Sequence, residues 1–347
     1  MEYRLLGNSG FAVPALTFGT ATFGGGNDFF KAWGTTGTDG ARDLIARCVD
    51  GGVTMFDTAD SYSGGLAEEI LGSAIAGRRD DVLISTKSSE PVGVGPNDRG
   101  SSRWHLLRSV ESSLRRMNTD YIDLFYIHLQ DLSTPVEETL RALDDLVRSG
   151  KVRYIGASNF SAWRLMKSMA VADSFGWNSY IGHQLGYSLT QRDAEWELLP
   201  LGTDQGIGTI AYSPLAGGAL TGKLRANQSA PADSRIAKQP TAVTAPLDRV
   251  HRIVDALSDI SVRTGRSISQ IALNWLLGRA TVSSVVFGAR TPDQLEDNLG
   301  SVGWSLSKRD LDHLDEVSAT PLPYPYLQQL HFSQMRTLDE KSSSVTR

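Results

Sequence analysis

Residues 151–186 read KVRYIGASNFSAWRLMKSMAVADSFGWNSYIGHQLG, and the order of textures within that stretch decides the fold. Residues 152–158 are short, aliphatic and β-branched, as a buried strand is. Residues 161–175 then space their apolar side chains at helical intervals, and 181–185 return to strand character. Strand, helix and strand within about thirty residues form one βαβ unit, whose two strands run parallel.

The unit recurs in both directions along the chain. Strands are expected at 16–20, 54–58, 82–87, 122–128, 152–158, 181–185, 207–213 and 285–288, with helices such as 41–50, 103–117, 136–149, 161–175 and 268–277 between them. Several helices stop at glycine, as Ser149-Gly150 and Asp50-Gly51-Gly52 do, which suits a left-handed C-terminal cap. Eight alternations without a break in composition predict an α/β fold, a closed (β/α)8 TIM barrel, over an open doubly wound sheet with a second domain. One domain is expected, its barrel core at about 14–317 and a C-terminal extension at 318–347, whose last part, ending KSSSVTR, is expected to be disordered.

Ahead of the first strand, Tyr3-Arg4-Leu5 and Phe11-Ala12-Val13 flank Gly7-Asn8-Ser9-Gly10, a turn signal that predicts an N-terminal β-hairpin closing the bottom of the barrel. Two polar stretches, 24–39 and 217–246, read as extended surface loops at the C-terminal face. Gly24-Gly25-Gly26 in the first of them reads as a flexible loop.

Composition narrows the partners. With 21% charged and 40% hydrophobic residues among 347, the chain is able to bury a large core. The net charge of −5 and the scatter of Lys and Arg speak against nucleic acid and against an anionic membrane surface. Cys48, the lone cysteine, excludes an internal disulfide and reads as an inert thiol on a helix face. There is no basic segment followed by an apolar run at the N-terminus and no apolar stretch of about 20 residues, so a cytoplasmic protein acting on a small molecule is expected.

Barrel enzymes build their sites at the C-terminal ends of the strands. There the sequence places Asp57, Tyr62 in the following loop, Lys87 and His128. Taken singly these are a helix cap, a loop aromatic, a solvated strand-end charge and a core histidine. Taken together they fit that account poorly, because a lysine at a semi-buried barrel mouth needs a carboxylate beside it, and Asp57 is the candidate. Reduction of a carbonyl by hydride creates an alkoxide that must be protonated. A phenol of ordinary pKa ~10 is a weak acid for that task. An ammonium at Lys87 stabilises the phenolate of Tyr62, Asp57 holds the lysine, and His128 orients the substrate oxygen.

The segments FDTADSYSGGLAEEILGSAI, VLISTK, TDYIDLFYIHLQD, VRYIGASNF, IAYSPLAGGALTGK and VVFGARTPDQLEDNL resemble, in order and at fitting intervals, the motif series of the aldo-keto reductases, over about residues 5–317. The likeness is strongest to the branch holding bacterial general aldo-keto reductases and the potassium-channel β subunits. It implies a nicotinamide cofactor, NADP(H) in preference to NAD(H), extended across the barrel mouth, and it gives Asp57, Tyr62, Lys87 and His128 the catalytic roles with Tyr62 as general acid. By the same likeness Gly19, Thr20 and Asp57 lie against the cofactor, Ser158, Asn159 and Gln184 hold its carboxamide, and Tyr212 stacks on its ring. Ser213, Pro214, Leu215, Gly217 and Lys223 take the pyrophosphate. Gly288, Arg290, Gln294 and Asn298 take the adenosine end, with Arg290 suited to a 2′-phosphate. No G-x-G-x-x-G opens a helix after a strand, in keeping with a cofactor held outside a Rossmann crevice. The sequence departs from the best-known animal reductases at Gly288-Ala289-Arg290, so the phosphate contacts are arranged differently.

Phe29, Phe30 and Trp33 either wall an apolar substrate, with Tyr62 and His128 at its reactive end, or anchor their own loop. Two other functions fit the same fold: a cofactor-binding, redox-sensing regulatory subunit, and Schiff-base chemistry at Lys87, which a neighbouring carboxylate disfavours by keeping the amine protonated. Neither metal-ligand histidine spacing nor a G-x-S-x-G elbow is present. Substrate identity and oligomeric state are not legible.

Overall fold

The computed structural model describes residues 1–226 and 230–344. Strands β1 (Tyr3–Leu5) and β2 (Ala12–Pro14) form an antiparallel hairpin. Strands β3 (Leu16–Gly19), β4 (Met55–Asp57), β5 (Leu83–Ser88), β6 (Ile122–Ile127), β7 (Val152–Ser158), β8 (Gly182–Gly186), β9 (Gly208–Tyr212) and β10 (Val282–Phe287) close into a parallel barrel in which each pairs with its sequence neighbours and β10 returns to β3.

Side chains alternate along each strand, so one parity faces the barrel interior and the other faces the helices. Met55, Leu83, Leu124, Tyr126, Tyr154, Ile210 and Val286 gather in the interior, while Phe56, Ile84, Phe125, Ile127 and Ile155 join the larger core beneath the helices. Stepping by two toward the C-terminal ends carries the interior parity from Met55 to Asp57, from Leu83 through Ser85 to Lys87, and from Tyr126 to His128. The strand pattern alone therefore aims three polar side chains into one mouth. Gly156 makes the arrangement possible at mid-height, since a Cβ there would come within 2.5 Å of the Tyr126 ring.

The hairpin closes the opposite end. Leu6 is fully buried in the interior cluster and packs where Cβ atoms on Gly182 and Gly208 would stand, at 2.9 and 2.5 Å from its side chain. Phe11 stacks on Tyr154 at 4.8 Å, and the Asn8 amide donates to the Gly206 carbonyl.

Amphipathic helices cover the outside. Val136–Arg148 buries Val136, Leu140, Leu143 and Leu146 at helical spacing, with Glu137 and Glu138 in its first turn and Arg148 in its last, as the helix dipole favours. Ile268–Leu277 begins with a capping box between Ser267 and Gln270. Cys48 lies buried on Thr38–Asp50, and burial pushes its thiol far above the ordinary range. Among the described residues no helix is long and apolar enough to cross a membrane.

Three stretches differ from the sequence expectation. The described residues of segment 217–246 are ordered rather than a plain loop: they hold most of a 3-10 turn, Ala216–Thr221, and a short helix, Arg235–Lys238, and they bury Ala219, Leu220 and Ile236; residues 227–229 lie outside the described residues. The Gly24–Gly26 turn is tied to the segment after Tyr62, because Ser63 Oγ donates to the Phe23 carbonyl at 2.8 Å and accepts from the Gly25 amide at 3.1 Å. The extension forms a helix, Tyr326–Ser344, whose Tyr326 hydroxyl donates to the Glu197 carboxylate; residues 345–347 lie outside the described residues.

Candidate active site

At the barrel mouth Lys87 is fully buried, and its Nζ donates to Asp57 Oδ2 at 2.5 Å and to the Thr58 carbonyl at 2.7 Å. Asp57 Oδ1 accepts from Ser85 Oγ at 2.6 Å and from Gln184 Nε2 at 2.9 Å. The carboxylate thus receives three side-chain donors. Lys87 Nζ stands 5.1 Å from the centre of the Tyr62 ring, and the His128 ring meets that of Tyr62 edge-on at 5.8 Å.

Burial alone would pull the Lys87 ammonium down, but Asp57 and Tyr62 outweigh it and leave Lys87 above its ordinary value, so it stays charged. Burial raises the Tyr62 phenol, Lys87 opposes that rise, and Asp57 and Glu90 add to it. The net direction is upward. The Lys87 ammonium thus lowers the phenol, as the sequence suggests, and burial together with the charges of Asp57 and Glu90 outweighs it. His128 is pushed down to about 3, by burial first and by Lys87 second, so its imidazole is neutral.

Tyr62 and His128 open into a cavity of about 760 Å³. Gly19, Asp57, Ser158, Asn159, Gln184, Tyr212, Ser213, Pro214, Leu215, Gly217, Lys223, Gly288, Arg290, Gln294 and Asn298 line it, as do Phe29, Phe30 and Trp33. Thr20 does not: it is fully buried, and both its amide and its hydroxyl donate to the Asp57 carbonyl, which turns the side chain away from the cavity. Asn159 adopts a left-handed φ of 54° and accepts from the Tyr212 hydroxyl at 2.7 Å while its Nδ2 donates to the His128 carbonyl. Gln294 is held by the Arg290 amide, and Asn298 Nδ2 donates to the Gly288 carbonyl.

A profile of the aldo/keto reductase family matches residues 15–319. The chain belongs to that family. It is 38% identical to an uncharacterized oxidoreductase of Bacillus subtilis, covering 92% of this chain and 97% of that protein. It is 39% identical to a probable voltage-gated potassium channel subunit beta of Arabidopsis thaliana, covering 87% and 91%. It is also 34% identical to an L-glyceraldehyde 3-phosphate reductase of Escherichia coli, covering 91% and 92%. Membership makes the chain an oxidoreductase of carbonyl-reducing type.

Two polar residues of this reductase's cavity escaped the reading of the sequence. Arg235 lies over the Trp33 ring at 3.5 Å, and burial lowers its guanidinium to about 10. It sits in a stretch of Ala, Pro, Ser and Gln that carries no periodic signal. Glu90 also lines the cavity, three positions beyond Lys87. A carboxylate that close to a strand's C-terminal end is a signal of the same kind that picked out Asp57, and it was available.

Proposed function

We propose that this aldo/keto reductase reversibly reduces an aldehyde or ketone to an alcohol with NADP(H), the whole chain serving as one barrel domain with its core at about 14–317 and an extension at 318–347. The observation that carries the reading is the fully buried Lys87–Asp57 pair set against Tyr62 at the edge of a cavity that has both aromatic walls and cationic groups.

The residues fit a dinucleotide. Lys223, Arg235 and Arg290 bring three cations to the cavity lining beside the carboxylates Asp293 and Asp297, and Asp297 is already hydrogen-bonded by Ser267 and Gln270. Gly217 and Gly218, with φ of 67° and 102°, line the cavity without side chains of their own, which suits close approach of phosphate. When bound, a nicotinamide supplies the hydride. Tyr62 Oη would give its proton to the carbonyl oxygen, and Lys87 would stabilise the phenolate left behind. Asp57 keeps Lys87 charged and in place. Neutral His128 fixes the carbonyl oxygen by a hydrogen bond. Arg290 would hold a 2′-phosphate, favouring NADPH over NADH.

The test is oxidation of NADPH or NADH, followed by absorbance, against a panel of activated aldehydes and dicarbonyls. Carbonyl-dependent oxidation with NADPH ahead of NADH is expected. Arg290→Ala should narrow the cofactor preference by about 10- to 100-fold, the worth of one charged hydrogen bond. Absence of oxidation across the panel would remove the reading. The likeness to the Arabidopsis channel subunit favours one other reading, a cofactor-binding redox sensor. Tight NADPH binding with negligible turnover on the same panel would select it.

A further inference from the structure

The mechanism proposed above gives Glu90 no proton to hold or move, although it lines the same cavity as Tyr62 and His128. The backbone nevertheless works to place it. Ser89, the preceding residue, holds a φ of 132°, which L-amino acids seldom adopt. Ser89 is pinned there by its hydroxyl donating to the Leu129 carbonyl at 3.1 Å and accepting from the Leu129 amide at 2.8 Å, and by the Gly100 amide donating to its carbonyl. A strained residue held in place by its neighbours is the mark of a side chain positioned for use.

The carboxylate is aimed at the reactive end of the cavity. Oε2 accepts from Ser61 Oγ at 2.5 Å and lies 3.3 Å from His128 Nδ1, without the angle of a hydrogen bond. No Lys or Arg pairs with Glu90 among the described residues, and Oε1 has no hydrogen-bond partner there. The side chain keeps 32% of its surface exposed, and the cavity is where that surface faces. A substrate that fills the cavity covers this carboxylate and strips its water. Burial of an unpaired carboxylate is strongly unfavourable unless the incoming molecule brings a donor. Because the His128 ring has Glu90 Oε2 3.3 Å from its Nδ1 and also meets the Tyr62 ring, the donor belongs close to the reacting carbon.

We propose that Glu90 is a specificity-determining residue that selects carbonyl substrates with a hydroxyl on the carbon next to the carbonyl, that hydroxyl donating to Glu90. The inference rests on the carbonyl-reductase reading above. It also requires that a substrate with an aliphatic group at this position pass less readily, since it would bury the carboxylate with Ser61 as its hydrogen-bond donor and no counter-charge.

The experiment measures kcat/KM with NADPH for 2-hydroxypropanal and propanal in the wild type, Glu90→Gln and Glu90→Leu. Cofactor affinity of each variant, read from fluorescence, checks that the site is intact. Hydration of the aldehydes cancels when the ratio of the two substrates is compared between proteins. The wild type is expected to favour 2-hydroxypropanal. The ratio should fall by about 10- to 100-fold in Glu90→Leu, the range for loss of a hydrogen bond to a charged acceptor, and by less in Glu90→Gln, whose amide oxygen still accepts. A displaced His128 would lower both substrates together. Equal losses on the two aldehydes, an unchanged ratio, or no wild-type preference for the hydroxylated one overturns the proposal. Failure with both aldehydes while the dicarbonyl panel is reduced does so as well. Failure with every carbonyl tested instead removes the reductase reading on which the proposal stands.

Discussion

A Tyr62→Phe protein is expected to reduce carbonyls about 10²- to 10⁴-fold more slowly than the wild type, the range that a positioned general acid contributes. The substitution removes one hydroxyl and keeps the ring, so the packing of Tyr62 against Phe30 at 6.0 Å and His128 at 5.8 Å is preserved. Cofactor affinity should therefore stay close to that of the wild type, and the loss should fall on kcat. Single-turnover oxidation of bound NADPH by a saturating aldehyde isolates that step. Undiminished turnover would show that the proton comes from another group. The neutral imidazole of His128, held down to about 3 by burial and by Lys87, has no spare proton charge to give.

The second large effect concerns the buried ion pair. Lys87→Met leaves the Asp57 carboxylate inside the barrel with only Ser85 and Gln184 as side-chain donors, and removing one member of a buried pair costs about 3–5 kcal/mol of stability. Asp57→Asn takes the counter-charge from the Lys87 ammonium and leaves it neutral acceptors such as the Thr58 carbonyl. The double variant Asp57→Asn with Lys87→Met carries no uncompensated charge, and such replacements are often near neutral for folding. It is expected to regain most of the stability lost by either single variant and none of the activity. Urea unfolding and NADPH oxidation on the three proteins separate the two effects. A double variant as unstable as the sum of its parents would show that the pair is not an isolated unit. A Lys87→Met protein that still turns over normally would remove the ammonium from the mechanism.

Much of this site was legible because strands have a period of two. Met55 and Asp57, then Leu83, Ser85 and Lys87, then Leu124, Tyr126 and His128 are each written at alternating positions, so recognising strands at 54–58, 82–87 and 122–128 was enough to converge the polar ends. The helix at Ile268–Leu277 was readable from its spacing, and its Ser267 and Gln270 cap closes it as the pattern suggests. What escaped lies where no period operates. Arg235 reaches the cavity because the described residues of segment 217–246 are ordered, and tertiary packing of Ala219, Leu220 and Ile236 decides that. Thr20 was expected against the cofactor from the family likeness, yet its hydroxyl turns to the Asp57 carbonyl. The helix Tyr326–Ser344 carries apolar residues at Leu327, Leu330 and Met335 within a polar stretch, a pattern too sparse to stand out against an extension.

The direction of the Tyr62 shift was not readable at all, because it is a balance. Residue identity names the ammonium that lowers the phenol. Only coordinates reveal how far burial raises the phenol and that Glu90 adds a second negative charge beside that of Asp57. A phenol raised in this way remains protonated through the neutral range, which suits donation to an alkoxide, a far stronger base than phenolate.

That balance is tested most directly by the pH profile of carbonyl reduction under single-turnover conditions with NADPH, measured for the wild type and for Tyr62→Phe. Tyr62 keeps its proton until the pH passes its ordinary value of 10.0, and His128 does not titrate near 6.5, so the wild-type rate should hold level through neutrality and fall only in strong alkali. The fall should vanish in Tyr62→Phe, leaving a low and flat residual rate. A wild-type profile that drops near 6.5 and keeps that drop in Tyr62→Phe would assign the proton to an imidazole and contradict the account.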